Sequence, residues 1–292
     1  MDFSIASRDP STIKTDLLVI SVPQAKTTLP LINRLDRKMG GTLTRLLKKE
    51  KFEGKTGQSK RINTNGRLPA ENILLVGMGE PKKFESEILR KAAGSALRLA
   101  KQVRASRVVM VLPGGVAPDG EEQARAVVEG GMLATYHFGR YKKEKDPHQV
   151  KQVLLSFPDK KEGAKRGIRE GALLAEGVKL ARDLINTPAA DMTPMDLARV
   201  ARSLKGVRTK IYTLPQIRRM KMGAYLGVAQ GSIHPPAFIE MHYRPRSPKK
   251  RVVLVGKGVT FDSGGLSLKP PKSMETMKDD MSGAAEIGRA HV

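Results

Sequence analysis

Apolar residues along the chain alternate between short unbroken runs and helical spacing. That order predicts strands alternating with helices, hence an α/β protein with a substantially parallel sheet. Asp16 to Val22 (DLLVISV), Asn72 to Val76 (NILLV), Arg107 to Leu112 and Gln149 to Phe157 read as strands. Helical patterns lie between them: Leu31 to Lys49, interrupted by Gly40-Gly41; Glu85 to Val103, with Ile88, Ala92, Ala96 and Leu99 on one face; and Glu121 to Phe138, whose Tyr136-His137-Phe138 end is expected to pack on the sheet. Together these elements predict one α/β domain over residues 1–160.

A polar stretch, Pro158 to Lys165, leads into a helical pattern from Arg166 to Ile185, the expected linker helix to a second domain over residues 166–292. After the turn at Asn186-Thr187-Pro188, Thr193-Pro194-Met195-Asp196 carries the marks of a helix start: a hydroxyl N-cap, proline first, and a carboxylate in the first turn. Val207 to Thr213 and Ala237 to Tyr243 read as strands, and Arg251 to Val255 as a strand of the buried type. Gly77-Met78-Gly79 follows a strand but lacks the third glycine of a dinucleotide fingerprint, so it reads as a strand-to-turn transition.

Composition narrows the chemistry. Hydrophobic residues make up 39% of the 292, tryptophan is absent, and the core must be built from aliphatic side chains. No cysteine is present, which excludes disulfides and thiolate ligands and leaves oxygen and nitrogen donors for any metal. The start of the chain lacks a basic segment followed by an apolar one, and no apolar run reaches the roughly 18 residues that span a bilayer. A cytoplasmic protein with no membrane partner is expected. The formal charge of +24 suits nucleic acid or another anionic partner. Its lysines and arginines are nevertheless spread along the chain, in groups such as Lys142, Lys143 and Lys145 or Lys249, Lys250 and Arg251, without interleaved aromatics. A solvated basic surface is the expected reading.

The chemistry concentrates in Val255-Gly-Lys-Gly-Val-Thr-Phe-Asp-Ser-Gly-Gly-Leu-Ser-Leu-Lys269 and its continuation through Met277-Lys278-Asp279-Asp280-Met281. A hydrophobic run ends in a glycine-rich loop whose small residues let the backbone approach a ligand. A carboxylate in such a loop can hold hard divalent cations, and a lysine beside bound cations loses its proton more readily. Ser263 and Ser267 lack the G-x-S-x-G context of a nucleophilic serine. His137, His148, His234 and His242 show no metal-binding spacing and read as structural.

This segment closely resembles the metal-binding stretch of the leucyl aminopeptidase (cytosol aminopeptidase) family. RDLINTPAADMTP (Arg182 to Pro194) resembles the entry to that family's catalytic domain, with Ala190 where asparagine is frequent. LGVAQGSIHPPAFIEMHY is similar as well, and LPAENILLVGMG more weakly. The resemblance implies an N-terminal macro-like α/β domain, a linker helix, and an incomplete α/β metallopeptidase catalytic domain. It implies Lys257, Asp262 and Asp280 as metal ligands, Lys269 as the catalytic lysine, and Met277 at the substrate side-chain pocket. Two divalent ions (Zn or Mn/Mg), a bicarbonate held by an arginine, a peptide substrate and a homo-hexamer belong to the same expectation. The alternative is a basic DNA-binding module related to the same family.

By the same resemblance, an Asn-Thr-Asp-Ala-Glu-Gly-Arg stretch with two further carboxylate ligands would lie beyond the last matched position. The chain is therefore expected to be a C-terminally truncated fragment, inactive alone. Glu286 to Val292 depart from the apolar helix the family would continue into, and from Ile287 onward they match the translation of a common sequencing adapter, so they are expected to be foreign to the natural chain.

Overall fold

The computed structural model describes residues 1–24, 29–115, 119–143, 148–158, 162–247 and 250–289. Lys145, Lys249, His291 and positions 159–161 of the polar stretch lie outside them. The chain divides into two units, Met1–Ala175 and Glu176–Val292.

The first unit runs β1 (Asp2–Ile5), β2 (Thr15–Pro23), α1 (Pro30–Lys38), α2 (Thr42–Lys49), β3 (Ser59–Asn63), β4 (Ala70–Gly79), α3 (Ser86–Gln102), β5 (Arg107–Val111), α4 (Gly120–Ala134) and β6 (Gln152–Ser156), and closes inside α5 (Ala164–Asn186). Its sheet has the order β1-β6-β5-β2-β4-β3, parallel throughout except for the β3–β4 pair. Because side chains alternate across a strand, the unbroken apolar runs feed two cores. Leu17, Val19, Leu74, Val76, Val108 and Met110 face Leu89, Ala93 and Leu97 of α3 and Val127 of α4. Leu18, Ile20, Ile73, Leu75 and Val109 face Ile32 and Leu35 of α1 and Leu43 and Leu47 of α2. Burial on both faces is what a parallel sheet requires, and it is why these strands read as continuous hydrophobic runs.

Two short strands escape the hydrophobic pattern. β1 pairs with β6, and β3 runs antiparallel to β4 at the opposite edge. In the other direction, α4 ends at Ala134, one turn short of the expected Phe138. The Thr135 hydroxyl donates to the Gly131 carbonyl at 2.7 Å, competing with the continuing helix. Phe138 falls outside the two cores and stands against Tyr141, ring centroids 6.0 Å apart.

The second unit contains the rest of α5, then α6 (Pro194–Ser203), β7 (Arg208–Tyr212), α7 (Leu214–Arg219), α8 (Gly223–Ala229), β8 (Phe238–His242), α9 (Pro271–Met274) and α10 (Ser282–Arg289). β7 and β8 form an antiparallel pair with Lys210 opposite Glu240. The core here is small: Ala181, Leu184, Met192, Leu197, Met281 and Ala285. Arg251 to Val255, expected as a buried strand, is not one. Val252, Val253 and Val255 are at least three-quarters exposed, and no strand among the described residues pairs with them. A run with strand-forming side chains still needs a neighbouring ladder, and propensity does not supply it. No described helix is long and apolar enough to cross a membrane.

The start of α6 forms as its sequence dictates. The Asp196 amide donates to the Thr193 hydroxyl, and the Thr193 amide donates back to the Asp196 carboxylate at 3.1 Å, a reciprocal capping box. The Thr193 hydroxyl, also donating to that carboxylate at 2.6 Å, is the main cause that holds the Asp196 pKa below the usual carboxylate value. A depressed pKa contributes stability that is present at neutral pH and lost as pH falls through the folded-state value. Asp196→Asn is therefore expected to lower stability by about 1 kcal/mol at pH 7, measured by urea unfolding of the second unit. That deficit should shrink below the ordinary carboxylate range, and a deficit independent of pH would exclude the linkage.

Candidate metal centre

The loop following the Arg251–Val255 run closes on itself. The Lys269 amide donates to the Ser263 carbonyl at 2.8 Å, and the Gly264 amide donates to Asp262 Oδ1 at 2.8 Å. Gly264 sits at φ 92°, where a Cβ would stand 2.2 Å from the Ser267 carbonyl oxygen, so only glycine fits. This closure returns Lys269 to Asp262: Nζ lies 2.9 Å from Oδ2 and also 3.1 Å from Met277 Sδ.

Asp280 follows the single helical turn Met277–Asp279, just ahead of α10. Its Oδ1 lies 2.8 Å from Lys257 Nζ. The five residues expected at the site are thus gathered into two ion pairs, Lys257–Asp280 and Lys269–Asp262, with Met277 against the second. The Lys269 ammonium, then the Gly264 amide, hold the Asp262 pKa below the usual carboxylate value; the charge of Lys257 adds a smaller push in the same direction, which relates the two pairs electrostatically. Lys257 and Asp262 are open to solvent, with side chains 63% and 50% exposed, so a ligand has access.

Two further features were not legible in the sequence. Lys278 Nζ lies 3.4 Å from the Asn186 carbonyl and ties the Asp280 turn to the end of α5. The Ala284 amide donates to the Lys257 carbonyl at 2.9 Å and joins the glycine-rich stretch to α10. Long-range backbone contacts of this kind leave no mark on spacing or periodicity. Two of the histidines have partners elsewhere: the His148 ring meets the Ala105 carbonyl at 2.9 Å, and His242 meets Glu240, which also accepts from the Tyr212 hydroxyl.

The two carboxylates suit a hard divalent cation in kind, whereas a lysine could donate only after losing its proton. The donors are few in number. Among the described residues, no group of three or more histidine, aspartate or glutamate side chains is placed to hold a metal.

Comparison with known proteins bears on the family of the chain. The model of the cytosol aminopeptidase family catalytic domain matches residues 179–291, and that of the same family's N-terminal domain matches residues 19–145. A "Probable cytosol aminopeptidase" of Persephonella marina is 37% identical over 264 residues, covering 88% of this chain and 53% of that protein. One of the same description from Thermosynechococcus vestitus is 39% identical, covering 93% and 56% respectively. Among solved structures, a mutant of tomato leucine aminopeptidase superposes with a TM-score of 0.83 at 27% identity, covering 100% of this chain and 58% of that one. The bottromycin maturation enzyme BotP in complex with Mn gives 0.77 at 30% identity, covering 94% and 55%. The chain spans a little over half the length of each of these relatives.

Gly264→Ala tests the loop. Forcing a Cβ into this position is expected to break the Ser263–Lys269 closure and raise hydrogen exchange at the Lys269 amide at least about tenfold. Unchanged protection would show that the loop does not depend on this turn.

Proposed function

The chain belongs to the cytosol aminopeptidase family, both of whose domain models match it, and on that premise we propose that it carries part of the active site of a two-metal aminopeptidase. The reaction is release of an N-terminal amino acid, such as leucine, from a peptide. The observation that carries this reading is the convergence of Lys257 on Asp280 and of Lys269 on Asp262 around one glycine-rich loop.

In this reading Lys257, Asp262 and Asp280 hold the divalent ions, Zn or Mn/Mg, through an amine and two carboxylates. When bound, such ions supply Lewis-acid activation of a water and of the scissile carbonyl. The polypeptide supplies the rest. Lys269 and the Gly264 amide hold the Asp262 pKa below the usual carboxylate value, so a cation would meet a carboxylate there and would compete with Lys269 for it. Lys269, braced by Asp262 and Met277, presents its ammonium to the oxygen on which negative charge develops during attack. Met277, beside Lys269, lines the pocket for the terminal side chain. A cytoplasmic setting, a homo-hexamer and a bicarbonate assisting proton transfer in a longer parent protein complete the proposal.

An amine and two carboxylates are too few to complete the shells of two ions, each of which takes about four donors or more. The 292-residue chain is therefore expected to bind Mn²⁺ weakly and to leave leucine p-nitroanilide uncleaved. Electron paramagnetic resonance titration with Mn²⁺ should show binding weakened at least about tenfold by Asp262→Asn and by Asp280→Asn. Affinity indifferent to both substitutions would refute the ligand assignment. Turnover by the purified chain with Mn²⁺ or Zn²⁺ would refute the expected inactivity.

A second reading rests on the +24 charge, which suits binding to the DNA phosphate backbone. Under it, affinity for a DNA duplex should fall steeply as salt is raised. No binding at low salt would remove this reading.

A further inference from the structure

Lys257 and Asp280 come from separate stretches of chain, and their meeting depends on how closely those stretches approach. A Cβ on Gly256 would stand 2.4 Å from the Gly283 carbonyl oxygen and 2.8 Å from the Ala284 nitrogen. A Cβ on Gly283 would stand 2.9 Å from the Lys257 nitrogen. Each of these obstacles is backbone rather than the movable end of a side chain, so neither stretch can give way locally. The Gly256–Lys257 segment therefore lies backbone to backbone on the first turn of α10, and the Ala284 amide closes the contact on the Lys257 carbonyl at 2.9 Å. Among the described residues, that is the only backbone hydrogen bond joining residues 250–261 to another part of the chain.

We infer that Gly256 and Gly283 are positioning residues, whose lack of side chains sets Lys257 on Asp280. The inference rests on the reading of those two side chains as members of one site. A lysine side chain that is 63% exposed would not hold a 2.8 Å pair by attraction alone, because it loses side-chain entropy and is screened by solvent. The glycine contact shortens the search by fixing the backbone from which Lys257 projects. The Lys269–Asp262 pair is different. It forms within its own loop and does not cross the contact.

That difference supplies an internal reference. A carbodiimide joins an amine to a carboxylate only when the two touch, forming an amide bond with loss of water, which the carbodiimide takes up to become a urea. Coupling of Lys257 to Asp280 and of Lys269 to Asp262 can be read separately by peptide mass spectrometry on the 292-residue chain. In Gly256→Ala and Gly283→Ala, the Lys257–Asp280 product is expected to fall at least about fivefold, since a displacement near 1 Å is enough to misplace a reacting pair. The Lys269–Asp262 product should persist. Gly288→Ala in the same helix, where a Cβ meets only a Leu204 methyl at 3.8 Å, should leave both products unchanged.

Gly283→Ala is the sharper variant, because alanine favours a helix over glycine. Helix propensity alone would tighten α10 and preserve the pair, whereas the contact argument demands its loss. Both products retained at the wild-type yield overturns the inference. Loss of both products together also overturns it, because the contact would then act on the whole loop rather than on Lys257. The readout needs neither metal nor turnover. A wild-type chain that couples normally but binds no Mn²⁺ would count against the aminopeptidase reading and leave the positioning role standing.

Discussion

The site is organised by a backbone-to-backbone contact between the Gly256–Lys257 segment and the first turn of α10. Immediately upstream of it lies a run of exposed apolar residues with no ladder of its own among the described residues, and immediately downstream the loop that closes between Ser263 and Lys269. Without this contact the two ion pairs would belong to two independent pieces of chain. With it, an amine from the glycine-rich stretch and a carboxylate from the turn before α10 face the same small region as Lys269 and Asp262. The absence of side chains at two positions thus does as much for the chemistry as the presence of charge at four others.

Electrostatics explains why the arrangement holds in so basic a chain. Asp262 and Asp280 each meet one lysine, so the site's two carboxylates are balanced by two ammonium groups. Asp262 is further satisfied by the Gly264 amide, a fixed dipole that costs no side-chain entropy to place. The loop's shape is therefore set by partners within the polypeptide. Cations recruited to such a site would compete with ammonium groups for the same oxygens, so the affinity of the site reflects a difference between two charged states.

How much of this could be read from the chain beforehand depended on where each element gets its stability. β2 and β4 are buried on both faces, and DLLVISV and NILLV announced them; the Thr193–Asp196 cap was equally plain, because a capping box is local chemistry. β1 and β3 were missed because each is short and sits at an edge, drawing its order from β6 and β4 rather than from its own pattern. Arg251 to Val255 failed in the opposite sense: it has every strand-forming side chain and no neighbour to pair with. Within the site, Asp262 and Lys269 taken singly look like any surface charge pair, and only resemblance to a family singled them out. The seating of Gly256 against Gly283 could not be read from spacing, since the atoms that forbid a side chain at each position lie far along the sequence from it.

The two units also differ in what holds them, and that bears on the site. The first unit buries apolar side chains on both faces of a six-stranded sheet, so its geometry is over-determined by packing. Among the described residues, the core cluster of the second holds six buried apolar side chains, while Val252, Val253, Val255, Leu266 and Leu268 stand in solvent. Local opening is governed by buried apolar contact, so the loop carrying Asp262 and Lys269 must open at lower cost than the strands of the first unit. What order it has comes from turn geometry: the left-handed Gly264, the Ser263–Lys269 closure, and the seating of Lys257 on α10. Such devices fix the directions of side chains but bury little surface. Tight, preorganised binding of two ions and a peptide needs a supporting shell around those side chains, and turn geometry alone does not supply one.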